Sequence, residues 1–138
     1  MRYTVQDYYD AINHFAPFAL AESWDNAGLL LGSGHQSVDS AMLALDATLP
    51  VIAQAKEEDV HLLITHHPII FHKLDRIAAD HPVYHAVRAG ISVISAHTNL
   101  DIATSGVNDA LASILQLQDT VILQETACKS WHKVVTFV

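Results

Sequence analysis

The chain has 138 residues, 51% of them hydrophobic, enough for one domain with a buried core and without a composition shift to mark a second. Fifteen acidic against seven basic residues give a formal net charge of -8, which argues against a nucleic-acid partner and against adhesion to an anionic membrane. Cys128 is the only cysteine, which excludes an intrachain disulfide and suits a reducing cytoplasm. The segment Met1 to Asp7 has no apolar signal core, and no run reaches the ~18 apolar residues of a membrane span. Ten histidines are many for this length and favour a metal-binding reading without locating a site.

In chain order, Thr4 is the expected N-cap of a short helix. Asp7 falls in its first turn, Val5, Tyr8, Ile12 and Phe15 lie on one face, and Pro17 interrupts it. Leu29-Leu30-Leu31, enclosed by Gly28 and Gly32, reads as a strand. Ser40 to Asp46 is a second strand, closing on a carboxylate. Thr48 then caps a helix that contains Pro50, Val51, Ile52 and Ala55 and ends near Lys56-Glu57-Glu58-Asp59. Val60 to Thr65 is a third strand. Asp80-His81-Pro82 starts a helix with Val83, Tyr84 and Val87 turned inward, stopped by Gly90. Ile91 to Ala96 is a fourth strand, His97 to Ser105 a polar loop, and Val107 to Leu115 a helix. Thr120 to Leu123 and Lys133 to Val138 are strand-like. Strands separated by helices imply right-handed crossovers, hence an α/β fold with a mostly parallel sheet flanked by helices.

Sites in such sheets form at the carboxyl ends of the strands, where Asp46, His66, His67 and His97 are all expected. Imidazole with carboxylate is the donor set of zinc, iron or manganese and not of soft, thiolate-bound ions. His66 and His67 are neighbours. If the strand continues through them, they point to opposite sides and offer one imidazole to each of two ions. Pro68 ends regular structure there. Asp101 supplies a carboxylate. His97, in the loop before it, is either a ligand or a hydrogen-bonding and proton-moving neighbour. Asp46 fits a turn cap equally well. His81 and His85 have the i, i+4 spacing of a metal pair, but no Glu follows His81, and a solvated helix face is the better reading. Lys73 and Arg76 read as surface charges, Gly32-Ser33-Gly34 lacks the pattern of a phosphate loop, and Cys128 has no nucleophile signature.

Three motifs together, Trp24-Asp25-Asn26-Ala27-Gly28-Leu29, Thr65-His66-His67-Pro68 and His97-Thr98-Asn99-Leu100-Asp101, resemble the Nif-three-like family, the GTP cyclohydrolase I type 2 homologues. The resemblance runs over nearly the whole chain. It implies an α/β protein assembling as a hexameric ring with a dinuclear centre of two divalent metal ions, His66 and His67 each serving a different ion and Asp101 joining one. It also implies a further His and Glu four positions apart. No His in this sequence is followed by Glu at that spacing. The chain is therefore expected to correspond to the first half of a longer family fold, 1-138 forming a single α/β domain. The activity implied is a metal-dependent hydrolase acting on a nucleotide or related small molecule, with His97 as the proton-transfer candidate. The alternative is a non-catalytic metal-binding or metal-delivery protein.

Overall fold

A computed structural model describes residues 2–125 and 132–134. The elements are β1 (Tyr3–Thr4), α1 (Val5–Phe15), a 3-10 turn (Phe18–Leu20), β2 (Gly28–Leu31), β3 (Ser37–Val38), β4 (Ala41–Ala44), α2 (Leu49–Glu57), β5 (Leu62–Thr65), α3 (Pro82–Arg88), β6 (Ser92–Ser95), α4 (Thr98–Ile102), α5 (Val107–Ile114), β7 (Ile122–Glu125) and β8 (His132–Val134). Four of them form the central sheet in the order β2-β6-β5-β4. The strands β4, β5 and β6 are parallel. β2 runs antiparallel on the β6 edge, with Gly28 opposite Ser95 and Leu29 opposite Ile94. The sheet is thus mixed, with the expected parallel part intact. Two small antiparallel pairs, β1 with β3 and β7 with β8, lie apart from it.

Strand alternation divides the core between the sheet's two faces. Leu63 and Val93 face one way and pack with Ile52 and Ala55 of α2 and Ala86 of α3. Leu62 and Ile94 face the other and pack with Val5 of α1, with Tyr8, Tyr9 and Ile12 beside it. The helix starts follow the sequence. Thr4 accepts from the Asp7 amide while the Asp7 carboxylate accepts from the Thr4 amide, closing a capping box. Thr48 caps α2, with Pro50 in its first turn.

Three expectations need correction. Phe15 and Val87, assigned to inward faces, are exposed. Pro17 ends α1 at Phe15, and in α3 the inward position one turn from Val83 is taken by Ala86, because a helix of only two turns fixes its own phase against the sheet. The loop expected from His97 to Ser105 contains α4, whose Ile102, with Ala103 behind it, packs on Ala16 and Leu20. Five residues are too few for helical periodicity to show in sequence. Of the strand expected at Lys133 to Val138, residues 135–138 lie outside the described residues, as does Cys128. Among the described residues no helix is long and apolar enough to cross a membrane.

Backbone conformation matters most at the end of β2. Gly32 has φ +95°, in the left-handed region, and a Cβ there would collide with Ser92 of β6. The close approach of β2 to β6 therefore requires glycine.

Candidate metal centre

The parallel strands end together, and the residues just past their ends build the site. After β5 the ladder continues for two more backbone bonds, from the His66 amide to the Ala44 carbonyl at 3.3 Å and from the His67 amide to the Leu45 carbonyl at 2.9 Å. After β6 the Ala96 amide donates to Thr65, and His97 is next in the chain. After β4 comes Asp46. Beneath the rings, the buried hydroxyls of Thr65 and Ser95 lie 2.8 Å apart, and the Thr65 hydroxyl donates to the His67 carbonyl at 2.8 Å.

That last bond belongs to a bend at His66 and His67, which lie beyond the strand proper. The two rings consequently do not point away from each other as in a continued strand. Their centroids are 5.1 Å apart, and His97 lies 5.1 Å from His66 and 5.7 Å from His67. One ring nitrogen from each of His66, His67 and His97 falls within 4.8 Å of the other two. Among the described residues this group can hold a metal ion.

Each ring has a different partner behind it. His66 Nδ1 is 2.9 Å from the Ala96 carbonyl, His67 Nδ1 is 2.7 Å from Asp46 Oδ1, and His97 Nδ1 is 2.8 Å from Asp25 Oδ1. A carbonyl and two carboxylates only accept, so Nδ1 must carry the hydrogen in all three rings. The nitrogen left with a free lone pair in each is Nε2. This is the tautomer a metal-binding imidazole needs, set by the outer hydrogen bond as in known metal sites. Tetrahedral zinc would place its ligand atoms about 3.3 Å apart. A spread of up to 4.8 Å is compatible with a modest closing onto one ion or with division of the rings between two. Asp101, on α4, stands at the edge of the group with Oδ1 3.6 Å from His66 Nε2.

The sequence reading assigned no role to Asp25. It has the most extensively bonded carboxylate described in the site, with a side chain 0% exposed. Its Oδ1 accepts from His97 Nδ1 and from the Asn26 amide at 2.7 Å; its Oδ2 accepts from the Thr98 amide at 3.1 Å and the Thr98 hydroxyl at 2.5 Å. Burial pushes this carboxyl up and is the largest single effect. The bonds from Thr98, His97 and Asn26 together outweigh it and hold the group below the ordinary carboxylate range. Asp46 acts similarly toward His67, not as the turn cap it resembled, but it is 49% exposed and more screened. Asn99 anchors the segment from below, its Nδ2 donating to the Ala16 carbonyl at 2.7 Å. His81 and His85 take no part: His81 caps α3 by accepting from the Val83 amide, and His85 is exposed. Lys73 and Arg76 are exposed, as expected.

Fold and site together define an α/β protein with a mixed sheet and a metal-competent imidazole group at the carboxyl ends of its parallel strands. The chain belongs to the Duf34/NIF3 (NGG1p interacting factor 3) family, whose model matches residues 3–136. It is 42% identical to the GTP cyclohydrolase 1 type 2 homolog of Clostridium acetobutylicum over 127 residues, covering 89% of this chain and 47% of that protein. With the Bacillus subtilis protein of the same name it shares 38% identity over 128 residues, covering 90% and 34%. Among solved structures it resembles a Bacillus cereus protein related to NIF3, with a TM-score of 0.85 at 32% identity over 91% of this chain and 36% of that one. It also resembles reduced HcgD from Methanocaldococcus jannaschii, with a TM-score of 0.83 at 33% identity over 91% and 52%. The chain thus spans less than half the length of the curated relatives it matches.

Proposed function

We propose that this chain carries the histidine part of a divalent-metal-dependent hydrolase centre acting on a nucleotide or a related small molecule. The carrying observation is the uniform tautomer of three converging imidazoles, each with Nδ1 spent on an acceptor and Nε2 left free. In this reading His66 and His67 bind two ions between them, and Asp101 completes the coordination of one. When bound, the ions supply Lewis acidity and lower the pKa of a water. His97 moves the proton. Its Nδ1 rests on the buried Asp25 carboxylate, which solvent screens less than Asp46 and which stabilises the ring when Nε2 takes up a proton. The nucleotide assignment leans on the name of the relatives, which is analogy and not chemistry.

The test combines metal stoichiometry by mass spectrometry with turnover of GTP and a panel of nucleotides and phosphate esters. Two ions per chain together with turnover that disappears in His97→Gln, while the ions stay bound, is the expected result. Two ions bound with no substrate consumed would reject the enzymatic reading, and transfer of the metal to an apo partner would then favour delivery.

A further inference from the structure

Beside the imidazole group stands a wall of aromatic rings that the metal chemistry does not use. Phe71 is edge-on to His97, with centroids 6.2 Å apart at 89°, and Trp24 is edge-on to Phe71 at 6.1 Å and 68°. The rings therefore run without interruption from the site outward. Trp24 is nevertheless 61% exposed and Phe71 39%. Exposed aromatic surface at the mouth of a polar site is the usual mark of a ligand contact.

The segments that carry the two rings are tied to each other and to the site. Trp24 precedes Asp25, which is bonded to His97 and Thr98, and Asn26 Nδ2 donates to the Ile70 carbonyl, next to Phe71, at 2.6 Å. One hydrogen bond thus joins the segment carrying Trp24 to the segment carrying Phe71, and another joins the first segment to the imidazole group. The backbone that carries each of the two aromatic side chains is thus anchored beside the imidazole group.

We infer that Trp24 and Phe71 form a stacking subsite for a planar heteroaromatic ring of the substrate, placed beside the imidazole group. This rests on the hydrolase reading for its position relative to the reacting bond, though not for the binding itself. Two rings at 68° present one face and one edge, and a third planar ring satisfies both by offset stacking on one and an edge contact with the other, at the 4.5–7 Å spacing such contacts prefer. Stacking of this kind tolerates different bases, because every base has a π face. An aliphatic chain would gain neither contact.

The chain has two tryptophans, so Trp131→Phe leaves Trp24 as its single indole. In that background, titration with guanosine or adenosine should quench indole emission saturably, whereas ribose 5-phosphate should not. By calorimetry, Trp24→Ala and Phe71→Ala should each weaken nucleoside binding by ~10-fold or more. Trp24→Phe should keep most of it, and all three variants should bind Zn2+ as the parent does. A folded, zinc-binding protein whose indole emission nucleosides leave unchanged would overturn the subsite and leave the metal reading standing. Quenching with no zinc bound by the parent would support the subsite and reject the metal reading. Emission that shifts with protein concentration and ignores nucleosides would overturn the subsite in favour of a second copy seated on the wall.

Discussion

Asp25→Asn is the most informative single change, because it keeps the side chain's volume and alters only which atoms accept. Oδ1 receives two donors, from His97 and Asn26, and Oδ2 receives two from Thr98. An amide offers one oxygen and one NH2 group. With the NH2 on the Thr98 side, the Thr98 amide faces a donor inside a buried pocket. With the NH2 on the other side, the Asn26 amide does so, and His97 is driven to the opposite tautomer, its hydrogen moving to Nε2. Either orientation leaves a buried N–H unsatisfied, which costs about 1–3 kcal/mol. The second also removes the Nε2 lone pair with which His97 takes up a proton, while ion binding by His66 and His67 should stay as in the parent. Urea unfolding of the metal-free protein reads the first effect, nitrogen-15 imidazole spectra report the His97 tautomer, and zinc calorimetry checks that the ion ligands are untouched. Unchanged stability together with an unchanged His97 tautomer would refute the assigned role of Asp25. So would a His97 ring found protonated on Nε2 in the parent.

Other expected outcomes rest on single contacts. His67→Ala should lower divalent-ion affinity by ~10-fold or more, whereas His81→Ala should leave it unchanged because that ring caps α3; equal losses in calorimetry would mean the ligands are misassigned. Gly32→Ala places a Cβ against Ser92 at a φ that disfavours L side chains, and should cost about 3 kcal/mol in urea unfolding, the upper end of ordinary substitutions. The Asp7 carboxyl is held below its ordinary value of 3.8 by hydrogen bonds from Thr4. Its contribution to stability is therefore complete above 3.8 and lost as pH falls through the lower folded value, and Asp7→Asn should flatten the acid limb of the stability curve. β4 is an edge of the central sheet and carries Leu43 at 77% exposure beside an exposed Leu45. Light scattering at tens of micromolar should therefore show self-association that Leu43→Lys weakens, a discrete hexamer matching the ring the resemblance implies and a monodisperse monomer contradicting it.

The elements legible in the sequence are those whose cause is local. Thr4 with Asp7 and Thr48 with Pro50 announce helix starts by residues three or fewer apart, and Leu62-Leu63-Ile64, closed by a β-branched Thr65, announces a buried strand. The two-residue strands β1 and β3 and the five-residue helix α4 carry no period long enough to read. Phe15 and Val87 show the limit from the other side. Apolar character at helical spacing names a face, but the packing angle of a short helix decides how much of that face is covered.

The site divides along the same line. His66, His67 and His97 could be placed together because parallel strands separated by helices end at one side of the sheet, an argument that needs only strand order. Asp25 could not be placed so, since its partner His97 lies 72 residues away and the bond between them depends on the direction of β2. Had β2 been parallel to β6, its start would lie at the opposite end, and Trp24, Asp25 and Asn26 would be far from the histidines. Because it is antiparallel, Gly28 pairs with Ser95, and the residues before Gly28 arrive where the residues after Ser95 leave. A single reversed edge strand thus delivers the carboxylate that sets the His97 tautomer, the amide that joins the two loops, and the indole at the mouth of the site. The signal was present in the sequence as an acidic residue just ahead of a glycine-bounded strand. It becomes readable only once the direction of that strand is known.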